Sequence, residues 1–159
     1  MGLYWMAKKY SSEADYSPWQ FKDDQPQASS SAKTIDVNFS QAEYEVKWQY
    51  DFSDNSYFRF LAGLPQKNKD SGKQVKAKAI AVQFVKTFPT KTDTLLSIGM
   101  DLNSGGKAEV FEDGQVIVGR WLKADGRTRY YDSQGREIAF DRGQIWVELV
   151  PEGQGVAWQ

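Results

Sequence analysis

From Thr34 onward the chain alternates apolar and polar residues with a period of two. Ile35, Val37 and Phe39 alternate with Asp36, Asn38 and Ser40, and Tyr44, Val46, Trp48 and Tyr50 alternate with Glu45, Lys47 and Gln49. This is the pattern of half-buried strands with one wet face. A turn at Ser53-Asp54-Asn55-Ser56 leads into a further strand over 57–62, and residues 63–73 read as a polar loop. A long strand is predicted over 74–88, with Ile80, Val82 and Phe84 on one face, and another over 95–100. The clearest local signal is Asp113-Gly114 between the strand-like runs 109–112 and 115–118. Both positions of a two-residue type I′ turn need positive φ, which Asp-Gly supplies. Further turns at 132–135 and 141–143 separate strands over 129–131, 137–140 and 144–150, and Pro151 ends the last. Eight to ten short strands with frequent turns predict a mostly β domain, an antiparallel sandwich or an open barrel. Its core is expected to hold Val46, Trp48, Ile80, Val82, Phe84 and Val118.

The first 33 residues differ in pattern. Leu3, Met6, Ala7 and Tyr10 recur at helical spacing, predicting a short N-terminal helix over 3–14. Residues 17–33, with Pro18, Pro26 and Ser29-Ser30-Ser31, read as an extended linker. The expected organisation is thus a helix and linker over 1–33 and a β domain over 34–159. The segment 1–33 also carries Leu3, Trp5, Met6, Tyr10, Tyr16, Trp19 and Phe21, too many apolar side chains to leave in water, so it is expected to dock on the β domain.

Composition narrows the chemistry. The 159 residues contain no cysteine and no histidine. That excludes disulfides, thiolate nucleophiles, cysteine-ligated metals and every triad that uses histidine as the base. With 20 basic and 21 acidic residues, net charge gives no reason to expect nucleic acid as a partner. No run approaches the ~18 apolar residues that span a membrane, and no charged segment followed by a signal-like apolar stretch occurs.

The stretch from Trp48 onward resembles the C-terminal domain of the YerB-like bacterial lipoproteins, a family without an established function. The resemblance is carried by VKWQYD (46–51), SYFRFLAGLP (56–65), KDSGKQVKAKAIAVQ (69–83), AEVFEDGQVIVGRWLK (108–123) and YYDSQGREIAFDRGQIWVELVP (130–151). Two departures stand out. Relatives often carry Pro-His near Pro65-Gln66 and Asn-Val near Ala79-Ile80, so a site built on those polar groups would be altered here. The resemblance implies a lipid-anchored, extracytoplasmic parent protein with a preceding domain, of which residues 1–33 would be the tail.

Several patterns invite a site. Asp101, Asn103, Gly106 and Glu112 have the spacing of a calcium-binding EF-hand loop. Position five of that pattern is Gly105 and the flanks are strand-like, so a glycine-rich β connection is the preferred reading. Lys67, Lys69, Lys73, Lys76 and Lys78 form a basic stretch opposed only by Asp70. It could contact an anionic polymer or headgroup, or simply be a solvated loop beside a lysine-protected edge. Among six tryptophans, Trp48 is in phase with the core, Trp121 aligns with Ile117 and Gly119, and Trp146 shares a face with Glu148. Trp146 is the better candidate for stacking on a ligand. Carboxylate pairs could in principle cleave glycans, but Asp54, Asp113, Asp132 and Asp141 sit at turns, where they cap backbone, and no pair is singled out.

The expected function is a non-catalytic module of an extracytoplasmic lipoprotein that mediates interdomain or protein–protein contact. The alternative is a module that binds or cleaves a cell-wall glycan. No catalytic residue, cofactor or metal site is expected. Binding candidates are Trp146, Trp121, Lys67, Lys69 and Lys73. Expected partners are the preceding domain and a protein or cell-wall polymer, with membrane contact only through a lipid anchor outside this sequence.

Overall fold

The structure is a computed structural model that describes residues 17–39, 41–91 and 96–159. The helix predicted over 3–14 lies outside the described residues. The chain runs β1 (Phe21–Lys22), β2 (Thr34–Val37), a 3-10 turn (Ala42–Tyr44), β3 (Val46–Asp51), β4 (Ser56–Leu61), β5 (Leu64–Pro65), β6 (Lys76–Ala77) and β7 (Ala79–Val85). It continues with β8 (Thr87–Lys91), β9 (Leu96–Met100), β10 (Gly106–Glu112), β11 (Gln115–Ala124), β12 (Arg127–Asp132), β13 (Phe140–Asp141), β14 (Ile145–Pro151) and β15 (Val156–Trp158).

These strands form an open, mostly β architecture with no closed barrel. One sheet orders β15-β2-β3-β4-β5, with β6 added beside β4, and a second orders β12-β11-β10-β7-β14. The two face each other across a core that includes Val37, Trp48, Tyr50 and Tyr57 from the first sheet and Ile80, Val82, Phe84 and Phe111 from the second. The ladders are antiparallel except for β7–β14 and the two-residue pairing of β1 with β13, which are parallel. The strand expected over 74–88 changes partners along its length. β6 pairs with β4, β7 joins the second sheet, and β8 pairs only with β9. The chain therefore crosses between layers at Lys78 and leaves them at Lys86.

Strand β7 is buried along its whole length. Ile80, Val82 and Phe84 face the inter-sheet core, as the alternation predicts. Ala79, Ala81 and Val85 face a second cluster on the outer side of the sheet, with Trp121, Tyr130, Ile138 and Phe140. A strand covered on both faces reads as a continuous apolar run, and its alanines leave room for the large rings of the outer cluster.

Two expectations need correction. Val118 is 45% exposed. It shares a cross-strand row with Glu109, Val82 and Glu148, but lies at the end of that row, where the facing sheet does not cover it. Tyr44 belongs to the 3-10 turn rather than to a strand and is 58% exposed. The Asp113-Gly114 turn forms as predicted, with φ of 54° and 74° and with Glu112 and Gln115 paired across it. A Cβ on Gly114 would meet the Tyr50 ring at 2.7 Å, so close packing as well as φ requires glycine there.

Candidate functional site

Residues 17–33, expected as a linker, carry β1 and pack against the rest of the described chain. Trp19 donates its indole N–H to the Thr128 carbonyl at 2.7 Å and packs edge-on against Tyr130 and at a tilt against Phe140, with Arg127 over its ring at 4.5 Å. Arg127 and Arg129 reach the carbonyls of Ser17 and Pro18. Further along, Gln27 and Ala32 donate backbone N–H groups to the carbonyls of Asp113 and Gly114, each at 3.1 Å.

The centre of this docking is a cluster the sequence reading did not assemble. Lys22 on β1 reaches Asp141, Asp113 at 2.6 Å and Glu112 at 3.6 Å. Asn55, held at φ 43° in the β3–β4 turn, donates to Asp113 at 2.9 Å and to Asp141 at 3.3 Å, and accepts from the Tyr50 hydroxyl at 2.7 Å. The Gln25 N–H donates to Asp113, and the Asp141 N–H donates to Glu112. Burial drives the electrostatics. It pushes the Glu112 carboxyl up to about 7 and that of Asp141 up to about 6. Burial also acts to raise Asp113, but the bonds from Lys22 and Asn55 outweigh it and hold this carboxyl below its ordinary value. Burial would lower Lys22, yet its bonds to Asp113 and Asp141 hold its ammonium above the usual lysine range. Glu112 and Asp113 also border an open cleft of about 350 Å³. Chemically, the arrangement grips one cation, and the linker supplies it.

A second cleft, of about 520 Å³, lies between the 66–75 loop and the start of β14. Trp146 is half-buried at its wall. Arg59 stands over the Trp146 ring at 4.8 Å, and Trp48 meets that ring at 63° with centroids 5.4 Å apart. Behind them Glu148 accepts the Trp48 indole N–H at 3.0 Å and pairs with Arg59 at 3.5 Å. Burial raises the Glu148 carboxyl, opposed by Arg59 and by bonds from Trp48 and Trp146. Gln66, one of the two positions where the chain departs from its resemblance, hydrogen-bonds Arg59. The loop is braced internally: Asn68 N–H to the Lys73 carbonyl and Val75 N–H to the Gln66 carbonyl, both 2.8 Å, with the Asn68 side chain capping Asp70 and Ser71.

A third feature is apolar. β8 and β9 form a two-stranded ribbon outside both sheets. Pro89 and Ile98 are directly paired, and so are Thr87 and Met100, so these four share a face. Ile98 is 74% exposed. On the other face Phe88 lies across Gly99, where a Cβ would meet its ring at 2.5 Å. At the foot of the ribbon, Leu102 borders a groove shared with Trp19, Tyr130, Val147 and Leu149.

Of the residues singled out from sequence, Trp146 and Lys73 border the same cleft, and Lys67 and Lys69 are exposed on its loop. Trp121 is elsewhere. It is fully buried in the outer cluster, its indole N–H given to the Phe84 carbonyl at 2.8 Å, so its ring offers no surface to a ligand. Trp146 does share a face with Glu148, but that face is the inner one, in a row with Ile80 and Phe111. The EF-hand-like residues are dispersed. Asp101 caps the N–H groups of Asn103 and Ser104, while Glu112 ends the straight strand β10 and faces Lys22. The Glu112–Asp113–Asp141 cluster had one sequence signal, the acidic residues at the two turns. Their partners Lys22 and Asn55 lay too far along the chain to be assigned.

The fold and sequence have clear relatives. The chain is 26% identical over 147 residues to a protein of Bacillus subtilis (strain 168) named "Putative lipoprotein YerB", covering 91% of this chain and 44% of that protein. A crystal structure of YerB protein from Bacillus subtilis superposes with a TM-score of 0.77 at 22% identity, over 98% of this chain and 52% of the other. The chain thus spans about half the length of the relatives it matches. A family model described as "Protein of unknown function (DUF3048) C-terminal domain" matches residues 35–147. The chain belongs to this family of C-terminal domains of unknown function.

Proposed function

We propose that this domain is a non-catalytic docking module of an extracytoplasmic lipoprotein, and that its first partner is the region preceding it in the parent protein. The observation that carries this reading is the groove at Trp19. Leu102 is 39% and Val147 37% exposed, and both border the groove beside Trp19 and Leu149. Ser17 and Pro18 are held beside this groove by Arg127 and Arg129. An apolar surface beside Ser17 and Pro18 supports the reading that the region preceding them in the parent protein covers it. Leu102 follows β9 by two residues, and Pro89, Ile98 and Met100 of the ribbon present a further exposed apolar face. Two-stranded ribbons are marginal in water by themselves, and exposed apolar patches of this kind mark contact surfaces. The lipoprotein name of the Bacillus subtilis relative supports the compartment, and among the described residues no helix is long and apolar enough to cross a membrane. The bonding of Glu112, Asp113 and Asp141 to Lys22 supports a structural rather than a catalytic role for these carboxylates.

The test places Leu102→Lys and Val147→Lys together in a chain that also carries the family's preceding region. Thermal unfolding is expected to split into two transitions, with crosslinks between the two regions lost and the β domain's own midpoint nearly unchanged. A single unaltered transition with the crosslinks retained would refute the reading.

A further inference from the structure

The cleft beside Trp146 is not used by the docking reading. It lies on the opposite face of β14, because even-numbered residues of that strand turn inward and odd-numbered ones outward. Its chemistry is specific. Lys76 and Lys78 are paired with Asp54 and Asp24, whereas Lys67, Lys69 and Lys73 make no ion pair among the described residues. Lys73 borders the cleft and Lys67 and Lys69 are exposed on the same loop, whose internal hydrogen bonds fix the backbone that carries all three. Arg59 lies beneath with its charge offset by Glu148, and Lys76 at the cleft wall is offset by Asp54, so the charge the cleft offers an anion is that of the loop, three lysines against Asp70. Arg59 and Trp48 pack against the Trp146 ring, and Trp146 borders the cleft together with Gln144.

We infer that this cleft binds an anionic saccharide, one sugar ring lying on Trp146 while its carboxylate or phosphate groups meet Lys73, Lys69 and Lys67. An aromatic ring offers the C–H face of a sugar an apolar contact of defined geometry. The Gln144 amide can exchange hydrogen bonds with hydroxyl groups. Cations at the rim confer preference for an acidic over a neutral chain. A lipid headgroup would satisfy the lysines equally, but a flat bilayer surface cannot reach a ring half-buried in a concavity. The cleft therefore favours a soluble chain over a membrane.

The probe is a galacturonate tetramer, with its methyl ester as a neutral chain of the same rings and vesicles containing phosphatidylglycerol as the membrane alternative. Binding is followed by tryptophan fluorescence and by calorimetry. The tetramer is expected to bind saturably and the ester about tenfold or more weaker, a difference of about 1.4 kcal/mol. Replacing Lys67, Lys69 and Lys73 together by Gln should weaken the tetramer about tenfold and flatten its salt dependence. Lys123→Gln, an exposed lysine on β11, should change nothing. Trp146→Leu should abolish binding and the fluorescence change. If that variant fails to fold, the triple lysine variant, which touches only the loop surface, carries the test. Absence of saturable tetramer binding, equal affinity for the ester, or vesicle binding without saccharide binding would each overturn the inference.

Discussion

Replacing Glu112 by Gln should stabilise this domain at alkaline pH and do little at acid pH. Glu112 is 3% exposed. Its charged form has one N–H donor, that of Asp141 at 3.1 Å, and a distant ion pair with Lys22 at 3.6 Å, while its other oxygen is buried without a hydrogen bond. Burial accordingly raises this carboxyl from 4.5 to about 7. A folded-state value above the unfolded one means that the folded protein binds more protons through this window, so stability falls as pH rises from about 4.5 through about 7. A rise of that size corresponds to about 3 kcal/mol of penalty on the charged form. Glu112→Gln keeps an oxygen to accept from the Asp141 N–H and removes the charge. Allowing for imperfect replacement, the gain should be about 1–3 kcal/mol at pH 8, shrinking toward zero below about pH 5. In a chain of this length that corresponds to a thermal midpoint about 3–9 °C higher. Urea midpoints measured from pH 4.5 to 9 for both proteins provide the assay. The curves should diverge as pH rises. Parallel curves, or a variant less stable than the parent at pH 8, would show that Glu112 is held charged at no cost and that Lys22 neutralises it more fully than the geometry indicates.

Lys22→Met should act in the opposite sense at neutral pH. It leaves Asp113 and Asp141 without their cation, costing about 2–4 kcal/mol, and the deficit should shrink on acidification as the carboxylates take up protons. Protease cleavage within 17–31 should accelerate in the same variant, and an unchanged cleavage rate would show that the linker is held by Trp19 alone. Trp48→Ala should cost about 3–5 kcal/mol in urea denaturation, because it empties a fully buried site and removes a donor from Glu148. Val118→Thr, at an exposed strand position, should shift the midpoint by no more than about 0.5 kcal/mol, and a larger loss would place Val118 in the core after all.

What was legible in the sequence was local. The alternation over 46–50 placed Val46, Trp48 and Tyr50 inward because a strand's period of two is set by backbone geometry alone. Asp113-Gly114 was legible because only a few dipeptides fit positive φ twice in succession. What failed depended on partners. Val118 has the right phase for the core, but burial needs a facing sheet, and the period of a strand does not say where that sheet ends. Trp146 was placed on a face with Glu148 correctly and read as the outer one, because a carboxylate normally marks solvent. Here Glu148 is buried and bonded to Trp48 and Arg59, partners about 100 and 89 positions away. The parallel pairing of β14 with β7 was invisible for the same reason: a short antiparallel edge and a parallel one carry similar composition. The carboxylate cluster joins Lys22 to Asp141 across 119 positions, and no local pattern announces such a contact.

Strand β14 ties these features together. Its pairing with β7 leaves it at the end of its sheet, so it meets both layers of the molecule at an edge rather than in the middle. Trp146 and Glu148 turn to the inter-sheet side, where Arg59 and Trp48 fix them. Ile145 and Leu149 turn to the outer side, packed against the cluster of Trp121 and Tyr130, with Val147 beside them at the Trp19 groove. A strand that was polar on one side could not do this, which is why its sequence, IWVELVP, is nearly all apolar with a single internal carboxylate. The two proposed contacts therefore draw on alternate side chains of the same seven residues. They are close in space, yet Trp146 turns to one face of the strand and Val147 and Leu149 to the other. Occupying the saccharide cleft and covering the outer groove should thus be energetically separable. Coupling between them would have to pass through a shift of β14 itself against β7, the one movement that would disturb both faces at once.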